Sequence, residues 1–430
     1  MFLDEQNLHW TAGRTYGYPL KRTLYSSILE GMDRHWITIV TGLRRTGKTT
    51  LLKQMIDALI QSGTKRENIL FYSFDEGTTD VRGVLTEFQK RIGSRFHVSD
   101  EHFYIFLDEV QKCRPWSSQV KIFYDTYKNL KFVISGSASL FIRRESVESL
   151  AGRTQEYYLP RLSFREYLRF KGIEKIADDP QFHAESLAHE FEAYLPRQFI
   201  ETVNLDMSLV KQHARTLAEK VIFTDIPSAH PIDEVNALLE IVKIVAANPG
   251  MLMDYTTLAD TLGINRVTAS NYVYYLSEAF LLNLGYNYSK NINVRVRKHR
   301  KAYLANPAFA DLYSHDIRTP ISKFVEWHFF TEPVHGFFWR THQKDEVDIV
   351  MTEGYMDVPP LPVEVKYVEE VTSSDMKGLR KFMRTFDVKD GVLVTKHAEG
   401  TLTVDEGKIR QVPAWKAALD PSIIRYKKGQ

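Results

Sequence analysis

Residues 36–63 read "WITIVTGLRRTGKTTLLKQMIDALIQSG". Ile37, Ile39 and Val40 are β-formers. Leu51, Leu52, Met55, Ile56, Leu59 and Ile60 then recur at helical spacing until Gly63. A strand, a glycine-bearing loop and a helix in that order decide the fold. In the loop, Gly42 and Gly47 permit a tight turn that aims backbone N–H groups at a phosphate, and Leu43, Arg44, Arg45, Thr46 and Thr50 complete the cradle. Lys48 reaches the β and γ oxygens, Thr49 offers a hydroxyl to Mg²⁺, and the helix N-terminus adds partial positive charge. The stretch predicts an α/β P-loop domain that takes ATP and Mg²⁺.

A second strand signal, "HFYIFLDEVQ" at residues 102–111, ends in Asp108-Glu109. Asp108 at the end of a buried strand can hold the Mg²⁺ through water, and Glu109 is then placed to orient or activate the attacking water. "KFVISGSASL" follows as another apolar strand. Ser137 at its end is the candidate for sensing the γ-phosphate, against the plainer reading of a strand-end turn. Arg153, in "ESLAGRTQEYYLPRLSFREYL", is the candidate arginine finger, with a structural surface arginine as the alternative. An arginine acting in trans would make the protein a homo-oligomer.

The bulk composition sets outer bounds. A chain of 430 residues is too long for one ordinary core. Its 43% hydrophobic and 26% charged residues are those of a globular protein. A net charge of +2 leaves nucleic-acid binding to local patches. Cys113 is the only cysteine, which excludes an internal disulfide and a cysteine zinc cluster. The acidic start "MFLDEQN" lacks the pattern of a signal peptide, and no apolar run is long enough to span a bilayer. The expectation is a cytoplasmic protein with no membrane contact.

Further along, residues 171–232 read as a helical connector or lid. From Asp233, an amphipathic helix stops at Asn-Pro-Gly. "DYTTLADTLGINRVTASNYVYYLSEAFLL" then gives helix, turn and helix, and "NLGYNYSKNINVRVRKHRKAYL" alternates like a hairpin. This predicts a winged helix over residues 233–304. Between Glu278 and Asp311 there is no acid, while Arg295, Arg297, Lys298, Arg300 and Lys301 accumulate. Such a run can neutralise DNA phosphates. A solvated hairpin face is the bland alternative.

The last section orders as α-β-β-β-α-β: a helix with Glu326, strands "GFFWR", "EVDIVM" and "LPVEVKYV", a helix through Phe386, and strand "GVLVT". That is the order of the restriction-endonuclease-like PD-(D/E)XK core, which predicts such a domain over residues 305–430. In a strand, side chains two apart share a face, so Glu364 and Lys366 project together. Asp348 on the adjacent strand can share Mg²⁺ or Mn²⁺ with Glu364. Lys366 would position a water and Glu326 would complete the site. Alternatively these are polar residues on half-exposed strands.

The segments G-L-R-R-T-G-K-T-T, L-D-E-V-Q, S-G-S-A-S-L, S-L-A-G-R and L-S-F-R-E-Y, in this order, resemble a large family of bacterial and archaeal AAA-type ATP-binding proteins. The resemblance covers nearly the whole chain. It implies an ATPase fold over residues 1–170, followed by a C-terminal domain of unassigned function. Three readings stay open: an ATPase that controls a nuclease module, an ATPase switch whose C-terminal domain binds DNA or a partner without cutting, and a regulator whose winged helix reads DNA.

Overall fold

The computed structural model describes residues 3–75, 79–113, 115–137, 149–310, 320–331, 336–352 and 358–424. Ala138–Glu148, which carry part of two motifs above, lie outside them. The chain forms two compact units, Met1–Arg161 with Glu278–Phe280, and Leu162–Ser277 with Leu281–Gln430.

The first unit is a five-stranded, all-parallel sheet in the order β2-β3-β4-β1-β5. Its strands are β1 (Ile37–Thr41), β2 (Ile69–Ser73), β3 (Phe103–Asp108), β4 (Leu130–Gly136) and β5 (Thr154–Tyr158). Alternate side chains feed two cores. Ile37, Ile39, Ile105 and Ile134 pack with Val84, Leu85 and Phe88 of helix α3 (Val81–Ile92) and with Trp116 and Val120 of α4 (Trp116–Thr126). On the other face Val40, Phe71, Phe106 and Val133 meet Ile28 of α1 (Leu24–Glu30) and Leu51, Leu52, Met55 and Ile56 of α2 (Lys48–Gln61). Burial on both faces is why β1 to β4 are largely apolar, whereas the edge strand β5, Thr-Gln-Glu-Tyr-Tyr, is only partly buried. The apolar periodicity of Leu51–Ile60 is thus the inner stripe of α2.

Three helices open the second unit, α5 (Phe164–Lys171), α6 (Ala184–Tyr194) and α7 (Met207–Lys220). Next come α8 (Val235–Ala247), β6 (Met251–Met253), α9 (Tyr255–Leu262) and α10 (Arg266–Glu278), with Gly263 in left-handed backbone between the last two. β7 (Leu282–Asn287) and β8 (Arg300–Leu304) pair antiparallel, as a hairpin would. The segment between them departs from the expected alternation. Ile292–Arg297 is a short helix, α11, because the Asn291 side chain accepts from the Asn293 and Val294 amides and caps it.

The order α-β-β-β-α-β is present as α12 (Ile321–Thr331), β9 (Gly336–Arg340), β10 (Glu346–Met351), β11 (Leu361–Lys366), α13 (Lys377–Phe386) and β12 (Asp390–Thr395). β9, β10 and β11 run antiparallel and β11 pairs parallel with β12. β13 (Gly400–Val404) and β14 (Gly407–Pro413) extend that edge, ahead of α14 (Ala414–Leu419). On the other side β9 pairs with β7, so the hairpin is continuous with this sheet: nine strands in the order β13-β14-β12-β11-β10-β9-β7-β8-β6. This continuity brings residues of β8 within reach of β10, which the reading of two consecutive domains did not foresee.

α13 covers the sheet through Leu379, Phe382 and Met383, packed on Trp339, Val347 and Val350. It comes so close to β10 that a Cβ on Gly378 would lie 1.9 Å from the Glu346 carbonyl oxygen. Gly378→Ala is therefore expected to push α13 off β10 and destabilise this unit by about 1–3 kcal/mol. Denaturant unfolding checks it; an unchanged midpoint would contradict the packing.

Candidate functional site

The phosphate loop leaves β1 at the carboxyl edge of the parallel sheet, where such sheets bind ligands. Gly47 has φ 93° and caps α2, a backbone state that a side chain would strain. Lys48 is buried and donates to the Gly42 and Leu43 carbonyls, each at 3.0 Å. Thr46 is also buried, and its hydroxyl donates to Leu43 O at 2.9 Å. Arg22 braces the loop from outside, donating to Thr46 O at 2.6 Å and to the Pro160 and Arg161 carbonyls at 2.8 and 3.0 Å.

The strand order β3-β4-β1 brings the expected residues together. The Thr49 hydroxyl donates to Asp108 Oδ2 at 2.6 Å, and the Ser135 hydroxyl, from the strand between, donates to Asp108 Oδ1. Burial and the adjacent Glu109 charge push the Asp108 carboxyl above its ordinary range, while Ser135, Thr49 and Lys48 oppose them. Thr49 and Asp108 thus form a pair of hard oxygen donors beside the loop, the chemistry that suits Mg²⁺. Glu109 stands in left-handed backbone, φ 53°, which for a residue with a Cβ costs roughly 1–2 kcal/mol. Ser137 donates to Glu109 Oε2 at 3.1 Å, and Gln111 donates to the same oxygen and to Ser137 Oγ at 3.0 Å. Ser137 therefore lies against Glu109. Gln111 was missed; its place two residues past Glu109 was the available signal.

Arg153 is placed differently. It precedes β5, whose Thr154 is level with Ile37 at the start of β1, whereas Tyr158 is level with Thr41 beside the loop. At about 3.3 Å per residue that separation is about 13 Å. Its guanidinium forms a two-point ion pair with Asp125, at 3.0 and 3.3 Å. Within one chain Arg153 does not serve the phosphate loop.

In the second unit Asp348, Glu364, Glu326 and Lys366 converge on the sheet face under α12. The Val365 amide donates to Asp348 Oδ2 at 2.9 Å, and the Asp348 amide donates to Glu364 Oε2 at 3.4 Å. Lys366 pairs with Glu364 at 2.7 Å. All three acids are buried, so the half-exposed strand reading is set aside. Another residue completes the cluster. Lys301, expected on a DNA-facing surface, is buried from β8, with Nζ 2.8 Å from Glu326, 2.8 Å from Glu346 and 3.7 Å from Asp348. Its assignment to DNA is corrected: in a strand, Lys301 shares a face with Tyr303, and both bond Glu326. Arg295 and Arg300 are half-buried over Phe337 and Tyr286, 4.5 Å from each ring centre. Lys298 is half-buried and Arg297 exposed.

Charges in the cluster are graded. Burial opposes ionisation of Glu326, but Lys301 and Lys323 bring its pKa down to about 2. Burial and the Glu326 charge raise Asp348 to about 6, against Lys301 and Lys366. Burial and Asp348 raise Glu364 to about 8, against Lys366. Among the described residues, no group of three or more His, Cys, Asp and Glu is disposed to hold a metal ion.

A family model matches most of the first unit. Residues 34–168 match the family model described as an AAA domain. The chain carries an AAA-type P-loop domain. Residues 201–314 and 323–415 match two domains of unknown function, DUF8612 and DUF4143. An uncharacterized protein of Haemophilus influenzae is 28% identical over 59% of this chain and 63% of its own length. Uncharacterized protein MJ1637 of Methanocaldococcus jannaschii is 26% identical over 66% and 65%. The chain thus spans just under two thirds of these two relatives. MJ1544 of the same organism is 23% identical over 89% and 88%. Among solved structures, ORC2 of Aeropyrum pernix in its ADP form aligns at 11% identity over 72% of this chain and 94% of its own, TM-score 0.34. AMPPCP-bound DnaA of Aquifex aeolicus aligns at 15% over 65% and 93%, TM-score 0.30. No described helix is long and apolar enough to cross a membrane.

The raised Glu364 carboxyl has a consequence for stability. A group whose folded pKa lies above its ordinary 4.5 contributes stability that is complete below about 4.5 and lost as pH rises through about 8. Glu364→Gln removes that proton. Its unfolding midpoint relative to wild type is expected to improve steadily from pH 5 to pH 9. Parallel pH profiles for the two proteins would contradict the buried, proton-binding carboxyl.

Proposed function

We propose that this protein is an Mg²⁺-dependent ATPase whose nucleotide cycle drives a C-terminal module that binds DNA or another partner without cleaving it. The observation that carries the ATPase reading is the 2.6 Å contact between Thr49 and Asp108, made beside buried Lys48 and next to Glu109. In this reading the loop amides and Lys48 hold the β and γ phosphates, and Thr49 and Asp108 hold the ion. Bound there, Mg²⁺ would neutralise charge on the phosphate oxygens. Glu109 orients the attacking water and takes its proton, with Ser137 and Gln111 fixing the direction of its carboxylate. A trans-acting Arg153 would have to leave Asp125 first.

The non-cleaving reading is favoured by Lys301. A nuclease site needs a cation bridging Asp348 and Glu364, and an ammonium group already lies against Asp348. Of the run Arg295–Lys301, exposed Arg297 and half-buried Lys298 are offered for a phosphate backbone.

Glu109→Gln is expected to keep ATP affinity and lose hydrolysis by roughly 10²–10⁴-fold, measured as phosphate release beside binding of a fluorescent nucleotide. Hydrolysis at the wild-type rate would remove Glu109 from the chemistry. Incubation of the wild-type protein with Mn²⁺, ATP and branched, single-stranded or duplex DNA is expected to yield no cut product. A product that disappears in Asp348→Asn would overturn the non-cleaving reading.

A further inference from the structure

The acidic cluster of the second unit closes round one atom. Lys301 Nζ contacts Glu326 and Glu346 at 2.8 Å and lies 3.7 Å from Asp348, with its side chain only 4% exposed. Lys301 stands opposite Gly285 of β7, and its Nζ lies within 6 Å of the Tyr303 and Phe338 ring centres. The surrounding charges match one for one. Lys323 pairs with Glu326 at 2.6 Å, Arg340 with Glu346 at 3.0 Å, and Lys366 with Glu364 at 2.7 Å. With Lys301 taking Asp348, each of these carboxylates has a cation of the chain's own.

A divalent ion of the Mg²⁺ or Mn²⁺ class asks for several carboxylate or water oxygens at about 2.0–2.2 Å and brings two positive charges. Here the nearest oxygens already accept from an ammonium group, and no net negative charge is left to offset a second cation in a dry interior. The ion that the α-β-β-β-α-β order implies does not fit the residues as they stand. The same carboxylates, without the ammonium, would be a set of buried hard donors.

We propose that Lys301 is the resident cation of this cage, and that the cage is a latent divalent-cation site which the Lys301 ammonium keeps closed. The inference rests on the non-cleaving reading and deepens it, since it names the residue that disarms the cluster. It also gives Lys301 a part in the fold: from β8 this side chain reaches both Glu326 of α12 and Glu346 of β10.

The experiment uses the full chain without nucleotide and Mn²⁺ alone as the probe, with bound Mn²⁺ read by electron paramagnetic resonance and unfolding followed in EDTA and in Mn²⁺. Wild type and Asp348→Asn should take up Mn²⁺ identically. Lys301→Met should unfold at a lower temperature in EDTA, gain one Mn²⁺ site at least tenfold tighter than any in wild type, and recover part of the lost midpoint when Mn²⁺ is added. The added site should vanish in the double variant Lys301→Met, Asp348→Asn. Wild-type uptake that falls in Asp348→Asn would overturn the proposal, as would a folded Lys301→Met chain with no new site. Should Lys301→Met not fold, the wild-type and Asp348→Asn pair decides alone: equal uptake sustains the closed cage and unequal uptake ends it. Because DNA is absent, the result is separable from cleavage. Cutting by wild type would end the non-cleaving reading, whereas Mn²⁺ uptake tests the cage itself.

Discussion

The burial of one ammonium group among the carboxylates of Glu326, Glu346 and Asp348 is the constraint on which the second unit depends. Taking an ion out of water costs several kcal/mol unless opposite charge and hydrogen bonds meet it. Lys301 and its acids can only be buried together, so β8, α12 and β10 must assemble as one. The continuous sheet from β6 to β13 carries β8 and β10 together through backbone pairing. The α-β-β-β-α-β elements thus surround an organic cation of the chain's own.

The first unit solves a related problem by other means. Asp108 is as deeply buried, yet its partners are the hydroxyls of Thr49 and Ser135. Hydroxyls can rotate and accept as well as donate, so they can yield the carboxylate to an incoming ion and its water shell. A lysine fixed between three carboxylates has only donors to offer. The two acidic sites of this chain differ in that respect: one carboxylate is held by hydroxyls, the other cluster by a fixed ammonium group.

Much of this was legible in the sequence, where local pattern and local chemistry agree. The phosphate loop was, because its glycines, lysine and threonine act within a few residues of one another. The α-β-β-β-α-β order was, because apolar alternation reports strands directly. The approach of Asp348 to Glu364 followed from adjacent strand faces, and that of Glu326 from its place on the helix that opens the same order. Lys301 was not legible. It sits in a run of basic residues that reads as a surface patch, and its partners lie 25, 45 and 47 residues away. Only the pairing of β7 with β9 brings β8 near them. Ile292–Arg297 failed for the opposite reason, since its alternation fits a strand while the Asn291 cap, a local hydrogen bond, starts a helix. Arg153 follows a motif in the chain, yet the parallel register puts it at the far end of the sheet from the loop.

The account stands most directly on where cations sit. A crystal structure grown with a nonhydrolysable ATP analogue and Mn²⁺, with the metal located by anomalous scattering, would show it. The account predicts a peak beside Thr49 and Asp108, with Lys301 Nζ still bonded to Glu326 and Glu346. A peak between Asp348 and Glu364, with the Lys301 side chain swung away, would contradict it.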